Sequence, residues 1–232
     1  MGLPGETPQA RRGAQVALDK ILGHAEAPDF QRSLLGGDHC IVGMLLALGV
    51  TFQDGGRRVD LLVEHLLAEQ MDDGGWNCRR HRRPFPHHSS FNTTLNVLDG
   101  LRDYLEMRPA APHAARVAEA ESAALELLLQ HHLFLSDKTG QVIHEQFTQI
   151  AYPYRWHYDY LRALDYFARA RAPRDARLRE AIDLLLRRRT ADGRWPNQKK
   201  FTGKVFFSLE TPREPSRWNT LRALRVLRWW EG

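Results

Sequence analysis

One short pattern occurs twice in this chain. An apolar helical run ends in Gln70 and is followed by Gly74 and Trp76; a second ends in Arg189 and is followed by Gly193 and Trp195. The match extends backwards, because Val59, Val63, Leu66 and Leu67 stand where Leu178, Ile182, Leu185 and Leu186 stand in the second copy. Such self-similarity at a fixed frame is the signature of a repeat architecture. A second class of helix shares a frame of its own: Leu95-Asn96-Val97-Leu98, Leu161-Arg162-Ala163-Leu164 and Leu221-Arg222-Ala223-Leu224.

The helices alternate between these classes. Amphipathic runs are expected over Arg11–Leu22, Arg57–Gln70, Ala114–His132 and Arg174–Arg189, with apolar residues at helical spacing on one side and charge on the other. More apolar runs follow each of them, from Asp38 onward, over Ser90–Met107, over Arg155–Arg171 and over Arg217–Trp230. Residues 28–37 read as a connector, Asp54-Gly55-Gly56 as a break, and Asp38 and Ser90 as N-caps. Four hairpins result, each an outer helix followed by an inner one. A hairpin of this size cannot bury both faces alone, so copies stack with the inner helices parallel and their N-termini at one mouth.

The 43% hydrophobic content suits one domain over residues 1–232, with residues 1–10 as a disordered tail. No stretch has the roughly 20 uncharged apolar residues of a membrane span, and Met1 to Arg12 lacks an apolar signal core, so a cytoplasmic protein is expected. The net charge of +5 comes largely from arginines spaced along helical runs, where a solvated face explains them, and nucleic acid is not the expected partner. Two cysteines, Cys40 and Cys78, do not make a disulfide framework and fit a reducing compartment.

Gln70, Gly74 and Trp76, with the second copy carrying arginine for glutamine, resemble the repeat motif of squalene and oxidosqualene cyclases. More widely, the chain from Gly37 to Trp230 is similar to the superfamily of terpenoid cyclases and protein prenyltransferase β subunits. The resemblance implies an all-α fold, an α/α toroid of inner and outer helices, here of about four pairs. It implies an isoprenoid-type apolar small molecule bound or transformed in a central cavity, and a homodimer or a partner subunit closing the ring. The Asp-any-Asp-Asp acid string of the class II cyclases is absent, and Asp72-Asp73 belongs to the repeat motif instead. Two alternatives stand beside the cyclase-like reading: a zinc-dependent prenyltransferase-like transferase or lyase, and a non-catalytic interaction or scaffold protein.

Zinc enters through Asp38-His39-Cys40. This string resembles the Asp-any-Cys that opens an inner helix in prenyltransferase β subunits and supplies two zinc ligands. The family's third ligand, a histidine, would fall at Asn92 or Thr93; His88, just before that helix, completes the assigned metal set of Asp38, Cys40 and His88. Asp, Cys and His are the donors that tetrahedral Zn²⁺ takes. Asp38, His157 and Asp159 are the candidate catalytic residues. Phe91, Asn92, Trp156, Tyr158, Tyr160, Trp218 and Asn219 are offered to the cavity or its mouth, where aromatic faces bind apolar or cationic groups. Each has a plainer reading as a cap, a core residue or a hydrogen-bonded histidine. Cys78, among Arg79, Arg80, His81, Arg82 and Arg83, sits where positive charge depresses a thiol pKa, and this basic loop suits an anionic head group.

Overall fold

The computed structural model describes residues 5–23, 34, 37–52, 57–203 and 205–232. They form an all-α, multi-helix protein whose helices pair as in a helical repeat. The helices are α1 (Pro8–Leu22), α2 (His39–Thr51), α3 (Arg57–Ala68), α4 (Phe91–Met107), α5 (Ala114–Gln130), α6 (Tyr160–Arg169), α7 (Arg179–Arg187) and α8 (Arg217–Glu231). The chain divides within α5 into two compact units, Met1–Glu126 and Leu127–Gly232. Among the described residues no helix is long and apolar enough to cross a membrane. Residues 1–4, most of the connector at 28–37 and the Asp54-Gly55-Gly56 break lie outside the described residues. The stretch assigned to a tail is partly helical, because α1 starts at Pro8, a residue suited to a first helical turn.

In the first unit, α2 and α4 pack face to face. α2 is apolar on nearly every side, with Val42, Leu45, Leu46 and Val50 buried, and only Ile41 of its large apolar side chains is exposed. Two glycines let the helix backbones touch. A Cβ on Gly43 would stand 2.5 Å from the Asn96 carbonyl oxygen, and one on Gly100 would meet the Gly43 carbonyl oxygen and lie 3.3 Å from Leu46 Cβ. Both residue numbers rise together along the contact, so the two inner helices run parallel. The Ser90 hydroxyl caps α4 by accepting the Thr93 N–H.

In the second unit, α6 and α8 are the corresponding parallel pair: Arg222 lies toward Asp159 and Arg225 pairs with Asp165. The Ser216 hydroxyl caps α8 by accepting the Asn219 N–H. A two-residue ribbon joins Trp195–Pro196 to Pro215–Ser216. α6 is shorter than its aromatic pattern predicts. Arg155 has φ 52°, a left-handed conformation that no helix accommodates, and the true cap is Asp159, whose carboxylate accepts the Arg162 N–H. Trp156, His157 and Tyr158 therefore precede the helix.

The repeated motif is one joint built twice. In the first copy the Trp76 indole N–H donates to the Leu66 carbonyl at 2.7 Å, its backbone N–H donates to Thr94 Oγ1, and Gly74 turns the chain with φ 91°. In the second, Trp195 donates to the Leu185 carbonyl at 2.7 Å and to Thr220 Oγ1, and Gly193 has φ 81°. The positive φ explains both glycines, since a side chain there is strained. Both indoles are fully buried.

Candidate metal centre

The N-terminus of α2, the end of α3 and the loop after the first joint converge in the first unit. His39 opens α2 and is only 2% exposed; Glu69 follows α3 directly; His81 lies in the basic loop. Their ligand atoms all lie within 4.8 Å of one another. His81 Nε2 is 2.7 Å and His39 Nε2 3.5 Å from the same oxygen, Glu69 Oε2. Arg80 holds the loop down by donating to the carbonyls of Glu69 and Gln70, both at 2.6 Å, and its Nε approaches Glu69 Oε2 at 3.5 Å.

The tautomer of His39 decides what this cluster offers. Its Nδ1 is 3.0 Å from the Asn77 carbonyl oxygen, which can only accept, so Nδ1 carries the proton. Burial pushes the pKa of His39 below its ordinary value, helped by the His81 and Arg80 charges and opposed by the Asn77 carbonyl and Glu69. The neutral ring then presents the lone pair of Nε2 to a carboxylate oxygen, acceptor facing acceptor. A backbone carbonyl fixing the far ring nitrogen is also how metal-ligating histidines are oriented. His65 stands behind, its ring 5.5 Å from that of His39; burial brings its pKa down to about 4, and its Nε2 is buried without a hydrogen bond. His, His and carboxylate form a donor set that suits Zn²⁺, with a further position for water or substrate.

The two cysteines meet beside this cluster. Cys78 Sγ accepts the Cys40 N–H at 3.3 Å and the Thr93 hydroxyl at 3.2 Å. The hydrogen bond shared with Cys40 and the bond from Thr93 pull the Cys78 pKa down, whereas the same sharing and burial push that of Cys40 up.

The other sequence-predicted residues of the first unit are placed differently. Asp38 precedes α2 but makes no side-chain cap; its Oδ1 accepts from Arg82 at 2.6 Å. His88 is exposed, with its carbonyl accepting from Asn77. Asp38, Cys40 and His88 are thus not gathered around one point: the carboxylate turns to Arg82, the thiol to Cys78, and the imidazole to solvent. Phe91 is buried in the first turn of α4, and Asn92 is half-buried with its carbonyl accepting from Asn96.

In the second unit, Asp159 is buried and caps α6, with Arg222 at 3.8 Å; burial raises its pKa. The His157 ring is stacked between Trp156 at 3.8 Å and Phe201 at 3.6 Å, and burial, then Lys199, Arg155 and Arg162, lower its pKa. Trp156 itself is 48% exposed. Tyr158 is buried and donates to the Leu133 carbonyl, and Tyr160 is buried against Phe134, so both are core residues. Asn219 is fully buried and ties α8 to the Pro196 carbonyl. Trp218 stacks on Tyr152 at 5.3 Å. Tyr152 in turn lines a pocket of about 320 Å³ with Arg155, Lys200, Phe201, Phe207 and Glu210.

Glu69 and His81 are the residues that sequence reasoning passes over. Glu69 reads as part of the solvated face of an outer helix, and His81 as one more cation in a basic loop. The only available signal is that Glu69 adjoins the motif residue Gln70. The chain matches no family model, no curated protein and no solved structure.

Proposed function

We propose that this protein is a zinc-dependent enzyme built from toroid-type helical repeats, a transferase or lyase similar to the protein prenyltransferases, with its metal at His39, Glu69 and His81. The observation that carries the reading is His39, whose Nδ1 is tied to the Asn77 carbonyl and whose Nε2 faces the Glu69 carboxylate at 3.5 Å, with the ligand atoms of His39, Glu69 and His81 all within 4.8 Å of one another, a donor set that a cation satisfies. Zinc at this position supplies a Lewis acid and a site for an anionic or thiolate substrate group. Asn77 orients His39, and Arg80 fixes the loop that brings His81 to the Glu69 carboxylate.

The isoprenoid part of the reading is supported by the repeated joint and by the aromatic pocket beside Tyr152, whose walls of Phe201, Phe207, Val205 and Leu209 suit an apolar chain and whose Arg155 and Lys200 suit an anionic end. Closure of the ring by a second copy or a partner subunit belongs to the same proposal.

The test is metal analysis of untagged protein dialysed against zinc, with native mass spectrometry for stoichiometry. One zinc per chain is expected, lost in Glu69→Gln and His39→Ala and weakened in His81→Ala, with circular dichroism confirming the fold of each variant. Affinity should fall as pH drops, because imidazole binds a metal only in its neutral form. Metal-free wild-type protein after loading overturns the metal reading. A zinc-loaded protein that neither binds nor turns over a prenyl diphosphate overturns the isoprenoid part alone.

A further inference from the structure

Cys40 and Cys78 lie 38 positions apart in the chain, yet the fold brings the sulfur of one onto the backbone of the other. Cys78 Sγ stands 3.3 Å from the Cys40 backbone nitrogen and shares a hydrogen bond with the Cys40 thiol. A nitrogen is separated from its own Cβ by one atom, so rotation about the Cys40 side chain carries its sulfur to bonding distance without moving the backbone far. Both residues are half-buried, open enough for a small reagent and sheltered enough to favour reaction with each other. Neither has another thiol to choose, since the chain contains only these two.

We infer that Cys40 and Cys78 form a reversible thiol–disulfide pair, a modification site that clamps the loop after the first joint onto the opening turn of α2. Cys78 is the attacking sulfur, because the Cys40 N–H and the Thr93 hydroxyl both point at it and stabilise the thiolate. With a small-molecule disulfide such as oxidised glutathione as oxidant, the Cys78 thiolate attacks one sulfur, forms a mixed disulfide and releases one glutathione thiolate. Cys40 then loses its proton and displaces the second glutathione, leaving the Cys40–Cys78 bond. The pair gives up two electrons and two protons, and the oxidant takes both as two glutathione thiols.

The pair does not depend on the metal reading, since it needs only the Cys78 sulfur held against the Cys40 backbone. The experiment is a titration of the metal-free full chain in glutathione redox buffers, quenched with an alkylating agent and read by intact mass and peptide mapping. The expected result is a monomer that loses two hydrogens, carries no alkyl label and yields a linked Cys40–Cys78 peptide. Cys40→Ser should instead stop at one glutathione on Cys78, and Cys78→Ser should react at least about tenfold more slowly than Cys40→Ser, because the donors stay aimed at an absent thiolate. Two alkylated cysteines throughout the titration, a wild-type protein with two glutathiones, or a disulfide only between chains overturns it. Loss of zinc binding with an intact disulfide response would remove the proposed function and leave this pair standing.

Discussion

The joint at Gln70–Trp76 and the joint at Arg189–Trp195 are the same local structure in different surroundings. Each tryptophan bonds the carbonyl ten residues before it, each glycine turns with positive φ, and the residue ahead of the turn reaches the glycine carbonyl. Beyond that they part. Gln70 has a second bond, to the Ala120 carbonyl of α5, and Gly74 is pressed against Ala123. Arg189 is exposed, with its guanidinium 5.5 Å over the Trp195 ring, and near Gly193 only that guanidinium is close. A short, neutral amide is selected where a following helix covers the joint, and a long cation where water does.

The residue two places after each tryptophan shows the same divergence in chemistry. Cys78 reaches back to Cys40 at the start of an inner helix, whereas Asn197 holds the backbone N–H and carbonyl of Tyr152, ahead of another. The position ties each joint to its own unit. In the first unit the tie is a thiol beside a histidine cluster; in the second it is an amide bonded through both its oxygen and its nitrogen.

If the joints are equivalent in their cores, Trp76→Ala and Trp195→Ala should have the largest and most similar effects, each costing about 3–5 kcal/mol in denaturant unfolding followed by tryptophan fluorescence and circular dichroism. A cost confined to one of them breaks the equivalence. The glycines should separate the copies. Gly74→Ala should cost about 3 kcal/mol, because positive φ is compounded by a Cβ 2.6 Å from a backbone oxygen, and Gly193→Ala about 1 kcal/mol, where only a mobile guanidinium must yield.

Gln70→Ala should cost about 1–2 kcal/mol through the loss of two hydrogen bonds, against at most about 0.5 kcal/mol for the exposed Arg189→Ala. Equal losses would show that α5 contributes nothing to the first joint. A pH slope is expected from His65 in the first unit. His65 has a folded pKa near 4 against an ordinary 6.5, so the unfolded chain binds the extra proton between these values. Its contribution is therefore complete above pH 6.5 and is lost as pH falls toward 4, amounting to about 1 kcal/mol after allowance for its partial exposure. His65→Leu should flatten the melting temperature against pH over that range, and an unchanged slope would assign the effect to other groups.

The helical repeat was legible because it rests on periodic apolar residues and on side chains, tryptophan and positive-φ glycine, with few substitutes. Element ends were legible where a side chain caps them, as at Ser90. They were misread at Arg155, where aromatic spacing imitates a helix and only the backbone conformation reveals the break. The candidate metal cluster was half legible. His39 stands inside the string that drew attention, but Glu69 and His81 come from an outer helix and a loop, and nothing in their neighbours separates a ligand from a solvated charge. The meeting of Cys40 and Cys78 is a matter of tertiary packing and has no local signal.

The glycines at the crossing of α2 and α4 set a tolerance. Backbone touching backbone leaves no side chain to flex between the helices, so their separation is fixed by atoms that cannot change rotamer. His39 and Cys40 begin one of these helices and Thr93 lies near the start of the other, little more than a turn from the contact. A methyl group at Gly43 or Gly100 would act as a wedge at a hinge, opening the far end where the imidazole and the sulfur are held. The spacing of His39, Cys40 and Thr93 thus rests on two glycines that lack side chains.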